Sequence, residues 1–283
     1  MSEPDKHHYL PVFYLSQWAG ADGKIVRYHR PHECVVAHRI APKNTGYEPG
    51  LYRLDGYASE QRNVIEKDFM APVVDDLAAQ ALRVLIEREQ AKLTTELRQA
   101  WTRFLMSLHV RHPGRVEQIT QQAAVGLRQS LLDNPEEYEA LRKAHDPPTL
   151  LEWVEQNAPV ILDNFGKQLL PDIITHQPTG DALIRMRWWT VGVTQAMPDL
   201  LTSDRPLYLS HGVADARCFI ALPLSPRFIF FATRDEDTFH RVMAQGIAPV
   251  TKSLNELLVT QAQKYVYAAH DRHLRFVENR LPT

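Results

Sequence analysis

Between Leu97 and Val116 the chain carries four arginines (Arg98, Arg103, Arg111, Arg115), two histidines (His109, His112) and no acid. At about 100° per residue, Arg111 falls within about 40° of Leu97 on a helix. That places it inside the apolar stripe of Trp101, Phe104 and Leu108. Arginine cannot shed its proton, and a buried unpaired charge is costly, so Arg111 should meet a carboxylate or an anionic ligand. The alternative is that the helix frays before Pro113 and Arg111 reaches solvent. The second reactive stretch is Thr202-Ser203-Asp204-Arg205-Pro206, where an apolar run stops at a turn and proline starts another extended run. Polar oxygens at a strand edge beside a fixed proline are held rigidly. Arginines with a carboxylate and a histidine suit acid/base hydrolysis of a phosphate ester, or recognition of an anion without chemistry.

The elements that must hold these residues follow from pattern. Pro11, Tyr14, Leu15 and Trp18 recur at helical spacing. Lys24–His29 and Cys34–Ala37 flank a turn and read as a hairpin, followed by an irregular stretch from Pro42 to Gly56. A helical middle spans about 57–176, starting at a Ser59 cap, interrupted by Pro72, and capped again at Thr94 or Thr95 before the Trp101 helix. That helix carries Met106 and Val110 opposite its main stripe, so it should be covered all round. The period then changes. Met186–Val193, the run after Pro206, Cys218–Leu222 and Phe228–Phe231 read as strands, the last two buried on both faces and joined by a Pro223–Pro226 turn. The final residues return to helix, with Tyr265, Tyr267, His270 and His273 on one edge. The expected fold class is α+β: a mostly helical single domain, 1–283, with an antiparallel sheet built from the N-terminal hairpin and C-terminal strands.

Composition bounds the partners. With 283 residues, 44% hydrophobic, and a formal charge of -2, the chain can bury a sizeable core and is not built for broad nucleic-acid binding. Two cysteines, no apolar leader and no membrane-length apolar run give the expectation of a cytoplasmic protein without disulfides and with no membrane partner.

The chain also resembles a bacterial family, that of domain of unknown function 4238. The resemblance runs nearly end to end. It rests on His8-Tyr9-Leu10-Pro11-Val12-Phe13-Tyr14-Leu15, on Asp22–Tyr28, Tyr52 and Ile65-Glu66, and on Val110-Arg111-His112-Pro113-Gly114-Arg115. It closes with Thr202–Pro206, Leu222–Pro226 and the Asn255 helix. The chain departs from the family pattern at Arg205, His112 and His109, and Asp75 stands in for a second glutamate. The resemblance implies positions and no activity.

Both lines single out His8, Glu66, Arg111, Arg115 and Asp204. The expectation is one pocket hydrolysing a phosphate-containing or nucleic-acid substrate. In it His8, Glu66 and Asp204 would be catalytic, and Arg111, Arg115, Ser203 and Tyr9 would bind the ligand. A divalent metal held by His8 and Asp204 is an alternative cofactor. A non-catalytic module for an anionic ligand or protein partner is the alternative function. In a purely architectural reading, Glu66 and Asp204 satisfy Arg111 and backbone amides while His8 caps the first helix. Weaker constellations are His29, His32 and His38 around zinc, Arg103 to His109 at the loose spacing of the helical HEPN ribonucleases, and Trp188-Trp189 as a stacking platform. No phosphate-binding glycine loop, nucleophile elbow or zinc-protease motif is present.

Overall fold

The computed structural model describes residues 6–133 and 135–282. Strand β1 (Lys6–His8) leads into a one-turn helix α1 (Val12–Leu15), with Pro11 in extended backbone before it. The hairpin forms as β2 (Ile25–His29) and β3 (Val36–Ile40), and within the irregular stretch β4 (Tyr47–Pro49) pairs antiparallel with β1.

The helical region begins later than Ser59 and is not broken by Pro72. A π-helix, Ile65–Asp75, runs through the proline and continues as α2 (Asp76–Glu87). In an α-helix Pro72 would lose a hydrogen bond and strike the carbonyl of Asp68. The wider i→i+5 turn admits the ring on the exposed side, so the pattern interruption becomes a local change of pitch.

Helix α3 (Thr95–Val110) is capped by the Thr94 hydroxyl, which accepts from the Leu97 amide at 3.3 Å. As its all-round apolar pattern requires, it is buried on several sides. It packs against α2, the π-helix and, further on, the helices α8 and α9 introduced below. Its Trp101 ring meets Phe230 at 5.7 Å in a later strand. The chain turns at Arg111-His112 and restarts immediately as α4 (Pro113–Asp133). Helices α5 (Pro135–Leu141), α6 (Leu150–Asn157), α7 (Pro159–Gln168), α8 (Leu170–Ile174) and α9 (Gln177–Arg185) complete the helical part.

The strands that follow are β5 (Arg187–Gly192), β6 (Thr202–Ser203), β7 (Tyr208–Leu209), β8 (Phe219–Ser225) and β9 (Phe228–Thr233), then helices α10 (Glu236–Met243) and α11 (Ile247–Gln261), strand β10 (Val266–Ala268) and helix α12 (Leu274–Glu278). The fold is α+β with antiparallel sheets. One four-stranded sheet, β3-β2-β10-β6, does join the N-terminal hairpin to late strands. The other late strands make a separate four-stranded sheet, β5-β9-β8-β7, rather than extending the first. Strands β8 and β9 are buried on both faces as their apolar runs require. Pro223 to Ser225 belong to β8, with a register irregularity there that absorbs the proline, so the turn is shorter than expected. Tyr265–Tyr267 form no helix edge: Tyr267 lies in β10, where pairing with Arg27 and Thr202 on either side overrides the local pattern. Among the described residues no helix is long and apolar enough to cross a membrane.

Candidate functional site

Arg111 is fully buried at the C-terminal cap of α3, and a carboxylate meets it there. Its two terminal nitrogens donate to Asp75 Oδ1 at 3.0 and 3.1 Å, and Asp75 keeps one fifth of its side chain exposed. The pitch change of the π-helix ends at Asp75, which is how the Pro72 segment delivers it. Glu66, on the same π-helix, lies in the field of this pair. Burial and the Asp75 charge push its carboxyl up to about 7, with Arg111 pulling the other way. Arg111 Nε and Glu66 Oε2 are both buried without a hydrogen-bond partner. Tyr52 donates its hydroxyl to the Arg111 carbonyl at 3.2 Å, and its amide donates to His7 Nδ1 at 2.9 Å. His8 does not cap the first helix. It sits in β1 against Tyr47, and burial, then the charges of Lys6 and Arg111, hold its imidazole below its usual range.

Asp204 belongs to another neighbourhood. Its carboxylate accepts from the backbone amides of Gln263 (2.9 Å), Lys264 (2.6 Å) and Tyr265 (2.9 Å). Burial pushes this carboxyl up and the three amides pull it down. Ser203 Oγ spans its own turn, accepting from the Arg205 amide and donating to the Arg205 carbonyl. The whole segment is a hub. Trp18 Nε1 donates to the Leu200 carbonyl, Asn255 holds the Leu201 amide and the Asp199 carbonyl, and the Tyr14 and Thr202 hydroxyls lie 2.8 Å apart. Asp199, buried, pairs with Arg227 and Arg272. Asp204→Asn keeps an acceptor but removes the charge from three amide bonds. It should cost about 2 kcal/mol in a urea titration, and a change within error would place those amides in water instead.

The structure therefore groups His8, Glu66 and Arg111 through electrostatics around one buried pair and sends Asp204 to a different set of partners. Tyr9 shares a cavity of about 320 Å³ with Asp204 and His112, and its ring meets His112 edge-on at 5.5 Å. Gly46, in left-handed backbone at φ +66°, sets Tyr9 there: its carbonyl accepts from the Tyr9 and Leu10 amides, and a Cβ would strike Leu10 at 2.9 Å.

Beside it opens a cavity of about 420 Å³ lined by His109, His112, Arg115, Gln118, Arg205 and Gln261, among others. Arg115 donates to Gln118 Oε1 at 2.6 Å and Arg205 to Gln263 Oε1 at 2.8 Å. Among the described residues neither guanidinium has an ion-paired carboxylate. The cavity lies at the first turn of α4. His112 Nδ1 accepts from the Gly114 amide at 3.3 Å, which requires a neutral ring, and burial with the nearby Arg205 charge lowers its pKa to about 4. Gly114 leaves room for the neighbouring pair, since a Cβ would come within 3.3 Å of Gln263 and 3.8 Å of Arg205. Desolvation, then the Arg115 charge, likewise hold His109 below its usual range. Sequence reasoning named Arg115 but missed Gln118, Arg205 and Gln261 as companions. The legible signal was proline at a helix start directly after two histidines.

The weaker constellations resolve into packing. His29 and His38 rings lie 5.4 Å apart, and no group of three His, Cys, Asp or Glu side chains is arranged to hold a metal among the described residues. Arg103 reaches the Val73 carbonyl while His109 faces the cavities, so the two occupy different faces of α3. Trp188 is covered by Arg98 at 3.8 Å, and Trp189 stacks on Phe239 at 4.3 Å.

No curated protein and no solved structure matches the chain. A family model described as "Protein of unknown function (DUF4238)" matches residues 6–272. With nearly its whole length matched, and the Arg111–Arg115 and Thr202–Pro206 motifs now seen to anchor the Asp75 pair and the Asp204 hub, this chain belongs to the DUF4238 family.

Proposed function

We propose that the protein binds an anionic, phosphate-like ligand in the cleft between Arg115 and Arg205. One observation carries this reading: two guanidiniums line the same cavity, and among the described residues each is hydrogen-bonded to a neutral glutamine amide and to no carboxylate. Arg111, by contrast, is answered by the Asp75 carboxylate. Arg115 stands at the start of a 21-residue helix, whose first amides add positive potential. His112, with Nδ1 occupied by the Gly114 amide, presents Nε2–H as a further donor.

Hydrolysis of a phosphate-containing substrate is the second reading, supported by His109, which is held neutral beside Arg115 and lines this cavity. It would take the proton from an attacking water as the new P–O bond forms and the P–O ester bond breaks, and that proton would pass to the leaving alcohol. Titration calorimetry with inorganic phosphate should show binding that Arg115→Ala and Arg205→Ala each weaken about tenfold or more, with folding unchanged. Phosphate binding that is indifferent to both substitutions, or absent, removes the reading. Turnover of a phosphomonoester that disappears in His109→Gln while phosphate binding persists would select the enzyme.

A further inference from the structure

Next to the cationic cavity lies a larger one of about 860 Å³, lined by Leu105, Met106, Val110, Leu183, Leu209 and Ile220 among others. The two share His109 and Leu207 in their linings, so they adjoin along α3 as an apolar arm and a charged arm. Both volumes fall in the range of sites for small organic ligands. The titratable residues of the apolar arm, His109, Asp172, His176 and His211, are all exposed, and His176 is bonded to Thr179 at 2.9 Å. An exposed apolar concavity of this size on a folded chain calls for an occupant.

We infer that the ligand is a single-chain amphiphile, its anionic head between Arg115 and Arg205 and its hydrocarbon tail along Leu105, Met106 and Leu209. This rests on the anion-binding reading above and adds the chemical class. Charge complementarity fixes the direction. Asp172 lines only the apolar arm and repels an anionic head there, while Arg115 and Arg205 line only the charged arm and attract it. Met106, unbranched and polarisable, can adapt its shape to a flexible chain. A neutral oil would leave the arginines unanswered, and a small polar anion would leave the apolar arm filled only with water.

The test is calorimetry on the full chain with four probes: inorganic phosphate, decyl phosphate below its micelle concentration, decanol, and vesicles containing phosphatidate. Decyl phosphate should bind at least about 100-fold tighter than phosphate, because the tail leaves water on binding. Ala214→Trp, a substitution at an exposed residue that lines the apolar arm and not the charged one, should erase that gain and leave phosphate binding intact. Arg205→Ala should weaken decyl phosphate and leave decanol unchanged. Decyl phosphate no tighter than phosphate overturns the amphiphile while the anion site stands. Decanol binding as tightly as decyl phosphate takes the head away from the arginines and overturns the amphiphile, while the phosphate titration decides the anion site on its own. Vesicle binding that survives Ala214→Trp would place the ligand at a lipid surface and overturn the single-chain assignment.

Discussion

Arg111→Ala is expected to destabilise the fold by about 3–5 kcal/mol, the largest effect of any single change outside the apolar core. The guanidinium is wholly enclosed and its two terminal nitrogens hold Asp75, whose carboxylate would be stranded beside the already crowded Glu66. Truncation also opens a cavity against Phe104, whose ring lies 5.4 Å from the guanidinium. Arg111→Lys should recover little, since a point charge on a flexible stem cannot reproduce the fork. The double change Arg111→Met with Asp75→Leu should regain most of the loss, because the desolvation cost of the pair disappears with it. Equilibrium unfolding in urea reads all three. A cost below about 1 kcal/mol for Arg111→Ala would mean that solvent reaches the pair and that Arg111 is free for a ligand after all.

Glu66→Gln should stabilise the protein at alkaline pH and change little in acid. Its folded pKa of about 7 stands above the ordinary 4.5, so the folded state favours the protonated form. The associated stability is complete below about 4.5 and is lost as pH rises through about 7. At about 1.4 kcal/mol per pH unit, that gap is worth up to about 3 kcal/mol, less whatever solvent screens at a partly exposed side chain. Glutamine matches the neutral acid in shape and never ionises, so the variant's gain should appear between pH 5 and 8, roughly, and plateau above. His112 acts in the opposite sense. Its pKa, lowered to about 4, gives stability that is present above its ordinary 6.5 and lost as pH falls towards 4. In the wild type the two contributions overlap and offset each other between about pH 4.5 and 6.5, and Glu66→Gln should leave stability rising with pH across that window. Parallel stability curves for the two proteins from pH 5 to 9 would show that Glu66 is ionised without penalty, and the assigned burial would be wrong.

These two outcomes bear on function as well. If the Arg111–Asp75–Glu66 group is a stabilising unit with its own pH signature, the arginine open to a ligand is Arg115, one turn beyond. The distinction rests on partners: Arg111 has a carboxylate, and Arg115 has a glutamine.

Much of this was legible before any coordinates. The position of Arg111 on the α3 stripe demanded an opposite charge, because burying a guanidinium alone is prohibitive whatever the fold. The hairpin, the all-round apolar α3 and the doubly buried β8 and β9 followed from periodicity, which is a property of neighbouring residues. Asp75 and Asp204 were visible as carboxylates. What each one neutralises was not.

Those choices are tertiary. Asp75 reaches Arg111 because a π-helix carries the chain through Pro72, and pitch there depends on the packing of α2 and α3 rather than on local propensity. Asp204 turns to the Gln263–Tyr265 amides because β10, a strand whose sequence reads as helix edge, is recruited between β2 and β6. The cleft itself brings Arg115 and Arg205 together from 90 residues apart. The sequence by itself determined which groups must be satisfied, since hydration and charge belong to each side chain. Only the folded chain decided which were satisfied internally and which were left facing open space, since that depends on distances set by every other packed element.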